Sequence, residues 1–293
     1  MDILASMGLR LKAFGGAVAT LVCLSWAPHA HAQNYLRVIQ DETLWDVDPN
    51  NGSYTALGGA AWAGATSMAM FTGLSGPVSP IYVIQDSRLW KVSATTGAYT
   101  QLGTSLWQGP TSMAAGPYAF GNVYGWGLFV LENSRLWRVN ENTGAITQLG
   151  GAAWGGATSM TLFNYTLYII QDDNLWRVNP VTGTYTTLGA GWGGPTQMVG
   201  DFTHNRLWIV QAGRLWKVDP GTGGYAQVGH ADWSGATSMA SQKQEDVPDG
   251  SDALYIIQNS RLHWVSTIDG HYTVLGGPAW GGPTLMAFDG VLQ

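Results

Sequence analysis

Residues 154–160, with the sequence Trp-Gly-Gly-Ala-Thr-Ser-Met, carry a motif that decides the fold because the chain repeats it. The motif, Trp-x-Gly-Ala/Pro-Thr-x-Met, occurs six times, with its Trp residues at Trp62, Trp107, Trp154, Trp192, Trp233 and Trp280. Successive Trp residues are 45, 47, 38, 41 and 47 positions apart. This period is typical of one β-propeller blade and is too long for a leucine-rich or ankyrin repeat. The pattern therefore predicts a ring or an array of similar units.

Each unit contains four short segments of β-branched, aromatic and Leu residues between turn residues, which predicts strands. In one unit the segments are Leu167–Gln171, Asn174–Asn179 and Tyr185–Leu188, and Thr196–Val199 represents the inner strand. A Gly in one turn of each unit supplies the positive φ of a tight hairpin. These glycines are Gly52, Gly97, Gly144, Gly183, Gly223 and Gly270. Four antiparallel strands joined by hairpins make one blade.

The two ends of the repeat region predict how the ring closes. The first unit begins at Tyr35 in what is the second strand elsewhere, and residues 284–293 form a spare first strand. Pairing Leu36–Gln40 with that strand completes the sixth blade and protects two exposed edges. We therefore expect an all-β, six-bladed β-propeller of four-stranded antiparallel blades over residues 33–293, closed by pairing of the N-terminal and C-terminal strands.

Residues 1–32 are similar to a secretory signal peptide. Arg10 and Lys12 precede an apolar stretch, residues 13–26, and residues 30–32 (Ala-His-Ala) fit a cleavage site. The apolar stretch is too short to span a bilayer comfortably, so we expect a secreted or periplasmic protein without a stable membrane anchor. Cys23, the one cysteine of the chain, lies in this segment, which leaves no disulfide for the mature domain.

The composition favours neutral polar ligands. Without Asp2, Arg10 and Lys12, the chain keeps 11 basic and 18 acidic residues, a net charge of −7. This acidity argues against nucleic acid as a partner. With 40 Gly, 15 Trp and only 11% charged residues, the surface must consist largely of hydroxyls, amides, backbone and aromatic rings. Sugars suit such a surface, since their C–H faces pack on aromatic rings and their hydroxyls bind polar groups.

The repeated polar residues are predicted to share one end of the ring with the six motif Trp residues, because alternate loops of an up-and-down sheet lie at the same end. The candidate ligand-binding residues there are these Trp residues with Gln40, Gln85, Gln171, Gln211, Gln258, Arg88, Arg135, Arg214, Arg261, Asp86 and Asp172, and Glu132 takes the Gln position in one unit. Six such sets would suit a multivalent glycan binder.

A structural interpretation of the same repeats stays open. A Trp in every blade can fill the space between blades, and a recurrent Arg can tie a blade to its neighbour. A second series, which follows Leu, is expected to pack between blades: Trp45, Trp90, Trp137, Trp176 and Trp216.

Catalytic candidates are few. The presumed inner strands hold almost no ionisable side chain, so we expect no metal and no other cofactor. Asp201 with His204, and His230 with Asp232, are the candidate acid–base pairs. The spacing of Asp46, Asp48 and Asn50 is similar to a calcium loop, but other units place Ser, Thr or Asn there, which indicates a hairpin turn. On the other face, the links 72–80, 117–127 and 242–253 are expected to be long loops.

The unit Leu89–Val92 followed by Thr96–Gly103, Leu-Trp-Lys-Val and Thr-Gly-Ala-Tyr-Thr-Gln-Leu-Gly, resembles the repeats of tectonin-type propeller lectins. The resemblance extends over residues 35–293 and implies a propeller fold and sugar binding. Five Tyr residues and Ile146 stand where that family often has Trp. We therefore expect a monomeric, multivalent carbohydrate-binding protein. The alternatives are an exported hydrolase or lyase with one site at the mouth of the central channel, and a pure interaction scaffold.

Overall fold

The computed structural model describes residues 35–71, 79–109, 112–194, 196–201, 204–242, 253–282 and 284–289. The predicted signal peptide lies outside these residues, as do residues 72–78 and 243–252 of two expected loops. The described residues form six four-stranded antiparallel sheets arranged as blades around a ring. The prediction of a six-bladed β-propeller is confirmed.

Blades are numbered in chain order. Blade 1 contains β1 (Tyr35–Gln40), β2 (Thr43–Val47), β3 (Tyr54–Ala56) and the last strand, β24 (Leu285–Asp289). Blade 2 contains β4 (Ser67–Met70), β5 (Ile81–Gln85), β6 (Arg88–Val92) and β7 (Tyr99–Gln101). Blade 3 contains β8 (Ser112–Phe120), β9 (Val123–Glu132), β10 (Arg135–Val139) and β11 (Ile146–Leu149).

The remaining blades follow the same order from the inner to the outer strand. Blade 4 contains β12 (Ser159–Phe163), β13 (Thr166–Gln171), β14 (Asn174–Val178) and β15 (Tyr185–Ala190). Blade 5 contains β16 (Thr196–Asp201), β17 (Arg206–Gln211), β18 (Arg214–Val218) and β19 (Tyr225–Gln227). Blade 6 contains β20 (Ser238–Gln242), β21 (Ala253–Gln258), β22 (Ser260–Ser266) and β23 (Tyr272–Trp280).

The first and last strands close the ring as the sequence predicts. Strand β1 pairs antiparallel with β24, with Leu36 opposite Phe288 and Val38 opposite Met286. Blade 1 is thus assembled from both ends of the repeat region, so β1 is paired on both sides and β24 takes the inner-strand position of the blade.

Six hydrophobic clusters lie between successive blades, and each contains one motif Trp. Residues of the second Trp series pack against five of these clusters as partly buried side chains. The core of the molecule is therefore a ring of interfaces between blades.

The turn between the third and fourth strands of each blade has two functions. In this turn Asp48 Oδ1 accepts a hydrogen bond from Asn50 N at 2.8 Å, as Asp219 Oδ1 does from Gly221 N at 2.9 Å. The calcium-like spacing is therefore a hairpin turn, as expected. The Gly that ends the turn also contacts the backbone of the preceding blade, and Gly97 lies against Leu57 and Gly58 in this way.

One expected loop is a hairpin instead. Residues 117–127 continue β8 and β9, which pair as far as Phe120 and Val123 across a tight turn at Gly121 and Asn122. The Gly and Pro residues of this stretch suggested a loop, but Tyr, Phe, Val and Trp between them support strand pairing. Blade 3 therefore extends beyond its neighbours on one face.

Candidate functional site

The two faces of the ring differ. The motif face carries the six Trp-x-Gly loops together with the hairpins that join the second and third strands. The mouth face carries the hairpins that join the first and second strands. The predicted sharing of one end by the Trp loops and the Gln hairpins is confirmed by hydrogen bonds between them.

The motif Trp rings are buried, with only 2–4% of each residue exposed. Each ring lies in the cluster between two blades, and most contact an outer-strand aromatic residue edge to face, as Trp154 does with Tyr185 at 5.0 Å. A ring in this position acts as a wedge between blades, and its faces are not open to a ligand. The predicted stacking on these six rings therefore does not fit the geometry.

The Gln side chains connect neighbouring blades by hydrogen bonds. Gln85 Nε2 of blade 2 donates to the carbonyls of Ala61 and Ala63, at 2.6 and 2.8 Å, on either side of Trp62. Trp62 N donates to Glu42 O of blade 1, so the loop is bound to both blades. Bonds of the same kind are made by Gln40, Gln171, Gln211 and Gln258. The amide groups proposed as ligand contacts are thus engaged with backbone.

The charged candidates of the motif face are exposed. Arg88, Arg135, Arg214 and Arg261 all lie at the solvent surface, as do Asp86 and Asp172. Both Asp residues occupy left-handed turn positions with φ of 47°, which Asp tolerates better than most residues. These side chains do not fill the space between blades as the Trp rings do. Their participation in binding stays a prediction.

Blade 3 departs from this pattern at Glu132. A carboxylate cannot donate to carbonyls, so its Oε1 instead accepts from Gln108 N at 2.8 Å and from Asn133 Nδ2 at 2.7 Å. In the same blade Ile146 replaces the outer-strand Tyr, and Trp137 Nε1 is buried without a hydrogen-bond partner among the described residues. Blade 3 therefore differs from the repeat pattern at these three positions, and it also carries the extended hairpin.

A central cavity of about 610 Å³ runs along the inner strands of all six blades. At the motif face its wall includes Thr158 and Thr196, whose hydroxyls lie 2.9 Å apart. The six motif Met residues line its middle. At the mouth face the lining includes Trp126, Asn164, Tyr165, Asp201 and Gln242. The wall therefore combines hydroxyl, amide and thioether groups with apolar side chains.

Two exposed aromatic rings stand at this mouth, on neighbouring blades. Trp126 lies on the extended β8–β9 hairpin, is 36% exposed, and packs edge-on against Phe71 at 5.5 Å. Tyr165 lies in the turn between β12 and β13 with φ of +63° and is 49% exposed. A bulky residue with positive φ is an outlier, and such strain concentrates at functional sites.

These two rings were missed in the sequence because neither belongs to a repeated series. Trp126 matches neither Trp series, and Tyr165 lies in a link between first and second strands, which differs in length and sequence from blade to blade. The available signal was an aromatic residue that has no counterpart in the other units.

The structure brings one predicted acid–base pair together and leaves the other apart. Asp201 is buried, and its Oδ2 lies 3.1 Å from His204 Nδ1 and accepts from Trp208 Nε1 at 3.0 Å. The His204 side chain is 40% exposed. Among the described residues no hydrogen bond joins His230 to Asp232. Hydrogen bonds from the Ser234 side chain and backbone lower the pKa of the Asp232 carboxyl.

Within the described ranges, no group of three or more His, Cys, Asp or Glu side chains is placed to hold a metal ion. The same residues contain no helix with the length and apolar character that crossing a membrane requires.

No protein-family model matches this chain, and no curated protein matches it either. Among solved structures, it is similar to a chain in the crystal structure of a nidogen/laminin complex, with 12% identity and a TM-score of 0.66, covering 86% of this chain and 98% of that one. It is also similar to an auxiliary nutrient binding protein from Bacteroides ovatus, with 13% identity and a TM-score of 0.55, covering 85% and 67%. Identities this low show the fold alone.

The fold and the site define a class of protein, the six-bladed β-propeller. In this chain the residues of the repeated motif connect neighbouring blades, and the mouth face carries aromatic residues that are not repeated. Tectonin-type membership, implied by the Leu-Trp and Thr-Gly motifs, stays a prediction.

Proposed function

We propose that this protein is an exported, non-catalytic binding protein that holds a neutral carbohydrate chain at the mouth of its central channel. The observation that carries the proposal is Tyr165, which is half exposed and lines the cavity, as Trp126 does, while its backbone has positive φ. A left-handed backbone costs an L-residue about 1–2 kcal/mol. Keeping a bulky ring there suits a site that uses the ring.

The chemistry of the cavity supports a sugar as the ligand. Two aromatic rings offer surfaces for C–H faces, and the cavity lining also includes Asn164, Gln242 and Thr161, whose polar groups can bind hydroxyls. Among the described residues of the lining, Asp201 carries the one carboxylate, and it is buried against His204 and Trp208. Few charges favour a neutral ligand.

The resemblance to tectonin-type repeats also supports carbohydrate binding, and the names of the two structural neighbours, a nutrient binding protein and a nidogen/laminin complex, are compatible with a binding role. The burial of the motif Trp rings moves the proposed site from the motif face to the mouth. One composite site, rather than six equal ones, follows from this move.

The test is a glycan array with the wild-type protein, followed by titration of a bound glycan against variants. Trp126→Ala should weaken binding about tenfold, the loss of one aromatic stacking contact. Tyr165→Gly should also weaken it, with the unfolding free energy changed by less than about 1 kcal/mol because relief of strain offsets the flexibility of Gly.

Tyr124→Ala is the matched control. Tyr124 lies on the same hairpin and is 74% exposed, but it does not line the cavity, so its loss should leave binding unchanged. A blank array with folded protein would exclude the proposal. An equal loss for Tyr124→Ala would show that the hairpin, not the mouth, makes the contact.

A second candidate function rests on the Asp201–His204 contact. A buried carboxylate that orients an exposed imidazole is an arrangement used in acid–base catalysis. Incubation with polysaccharides and measurement of new reducing ends or unsaturated products tests it. Product formation that is lost in His204→Ala would establish a hydrolase or lyase, and no product from any substrate that binds would exclude it.

A further inference from the structure

A Tyr at the start of the outer strand lies half exposed in the groove between two blades. Tyr99 of blade 2 packs edge-on against Trp62 at 5.2 Å and Trp90 at 5.4 Å. Tyr225 of blade 5 makes the same contacts with its two Trp neighbours, at 5.2 and 5.5 Å. Each Tyr packs against two Trp rings, yet 49% of Tyr99 and 57% of Tyr225 face solvent.

In blades 2 and 5 the same side of the sheet presents an Arg held in place by a Gln. Arg88 Nη1 donates to Gln101 Oε1 at 2.7 Å, and Gln101 Nε2 donates to Gly103 O at 2.9 Å. Gln101 lies opposite Trp90 and Tyr99 opposite Val92, so these groups share one surface.

Blade 5 repeats this relay. Arg214 Nη1 donates to Gln227 Oε1 at 3.3 Å, and Gln227 Nε2 donates to Gly229 O at 3.0 Å. Side-chain relays of this kind reduce the freedom of a long Arg side chain before any ligand arrives.

The other four blades each lack part of the set. In blade 3, Ile146 takes the place of the Tyr. Thr43 in blade 1 and Asn174 in blade 4 take the place of the Arg, and Val274 in blade 6 takes the place of the Gln. Blades 2 and 5 are three positions apart in a ring of six. Their grooves therefore face opposite sides of the molecule.

We propose that the grooves beside Tyr99 and Tyr225 are two equivalent binding sites for an acidic sugar, such as a uronic acid residue of a polysaccharide. Arg88 or Arg214 binds the carboxylate, and the Tyr ring packs against the sugar. A guanidinium has five N–H donors in a planar fork that matches a carboxylate, and each of these Arg residues donates one hydrogen bond within the protein. These sites are separate from the neutral site proposed at the mouth.

A carboxylate lies near each of the two sites. Asp86 stands in the turn before Arg88, and a Cβ added to Gly213, the residue before Arg214, would lie 2.7 Å from Asp232 Oδ1. Like charges repel, so each carboxylate should limit the affinity of its site for the acidic sugar.

Calorimetric titration with tetragalacturonate tests the proposal, with its fully methyl-esterified form as the neutral comparison. We expect two sites per chain and much weaker binding of the ester. Arg214→Ala should weaken the blade 5 site at least about tenfold, the effect of losing hydrogen bonds to a charged group, and Arg88→Ala should weaken the blade 2 site by a similar factor. Arg261→Ala removes an exposed Arg from the same position in blade 6 and should change neither.

Tyr225→Ile separates the ring from the charge. Ile fills this position in blade 3, so the substitution should preserve the fold while weakening the blade 5 site. Equal binding of the ester, an equal loss with Arg261→Ala, or no binding by folded protein would overturn the proposal. Trp126→Ala should leave this titration unchanged, which distinguishes failure here from failure at the mouth.

Discussion

Substitution of Gly97 should reveal how tightly the blades dock. Gly97 has φ of +70°, and a Cβ added to it would lie 2.5 Å from Leu57 O and 2.6 Å from Leu57 C in the preceding blade. Gly64 also has φ of +70°, but an added Cβ there would meet nothing within 4 Å. Gly97→Ala and Gly64→Ala therefore impose the same backbone strain and differ in the neighbouring blade.

The magnitudes follow from that difference. An L-residue in the left-handed region costs about 1–2 kcal/mol, and the stiffer unfolded chain of Ala offsets about 0.4–1 kcal/mol. Gly64→Ala should therefore lower the unfolding free energy by about 0.5–1 kcal/mol. Gly97→Ala must also push the Leu57 backbone outward, because Cβ contacts below 3.0 Å are essentially never seen. Overpacking of this kind adds about 1–3 kcal/mol, for an expected loss of about 2–4 kcal/mol.

Urea unfolding followed by Trp fluorescence measures both variants, since the motif Trp rings are buried between blades and should report their separation. The slope of the transition should stay the same as in the wild type. A loss for Gly97→Ala no greater than that for Gly64→Ala would refute the claim that this Gly is required by close contact between blades.

Other substitutions test other parts of the fold. Ala212 has φ of 49° in a turn where Asn133 serves in blade 3, so Ala212→Asn should raise the unfolding free energy by about 0.5–1 kcal/mol in urea, and a lowered value would contradict the strain argument. Trp154→Ala should lower the unfolding free energy by about 3–5 kcal/mol, because the ring that packs between two blades is lost. A stable variant that no longer binds glycan would support a ligand-binding role for Trp154 instead. A hydrogen bond from the Thr222 backbone, with others in the turn, lowers the pKa of Asp219 in the folded state. This carboxylate therefore stabilises the fold at pH values above its unfolded-state pKa. The stabilisation is lost as the pH falls through the lower pKa of the folded state. Asp219→Asn keeps the turn, as Asn179 does in blade 4, and should flatten the dependence of stability on pH below about pH 4; an unchanged acid unfolding curve would contradict this.

The fold could be predicted because its signals are local and repeated. The period of the motif indicates blades, the turn glycines mark hairpins, and the missing and spare strands at the two ends indicate closure. The extended hairpin of blade 3 was the exception. Its Gly and Pro residues masked a strand pattern that pairing across residues 117–127 makes evident.

The site was harder to predict, because repetition serves scaffold and ligand binding equally. Residues equivalent to Trp62 and Gln85 recur around the ring. In the structure the Trp ring fills the space between blades, and the Gln side chain makes hydrogen bonds across it. Their burial depends on the neighbouring blade, which a sequence motif does not describe. The charged residues of the same face, such as Arg88, remained at the surface and keep their predicted binding role open.

The sequence by itself determined the number of blades, the strand order, the closure and the face on which each hairpin lies, because these follow from short-range strand and turn chemistry repeated six times. The tertiary structure alone decided which side chains are exposed and which non-equivalent residues meet. Trp126 lies on strand β9 of blade 3 and Tyr165 in the first hairpin of blade 4, and only the packing of blades around one channel brings both to its mouth.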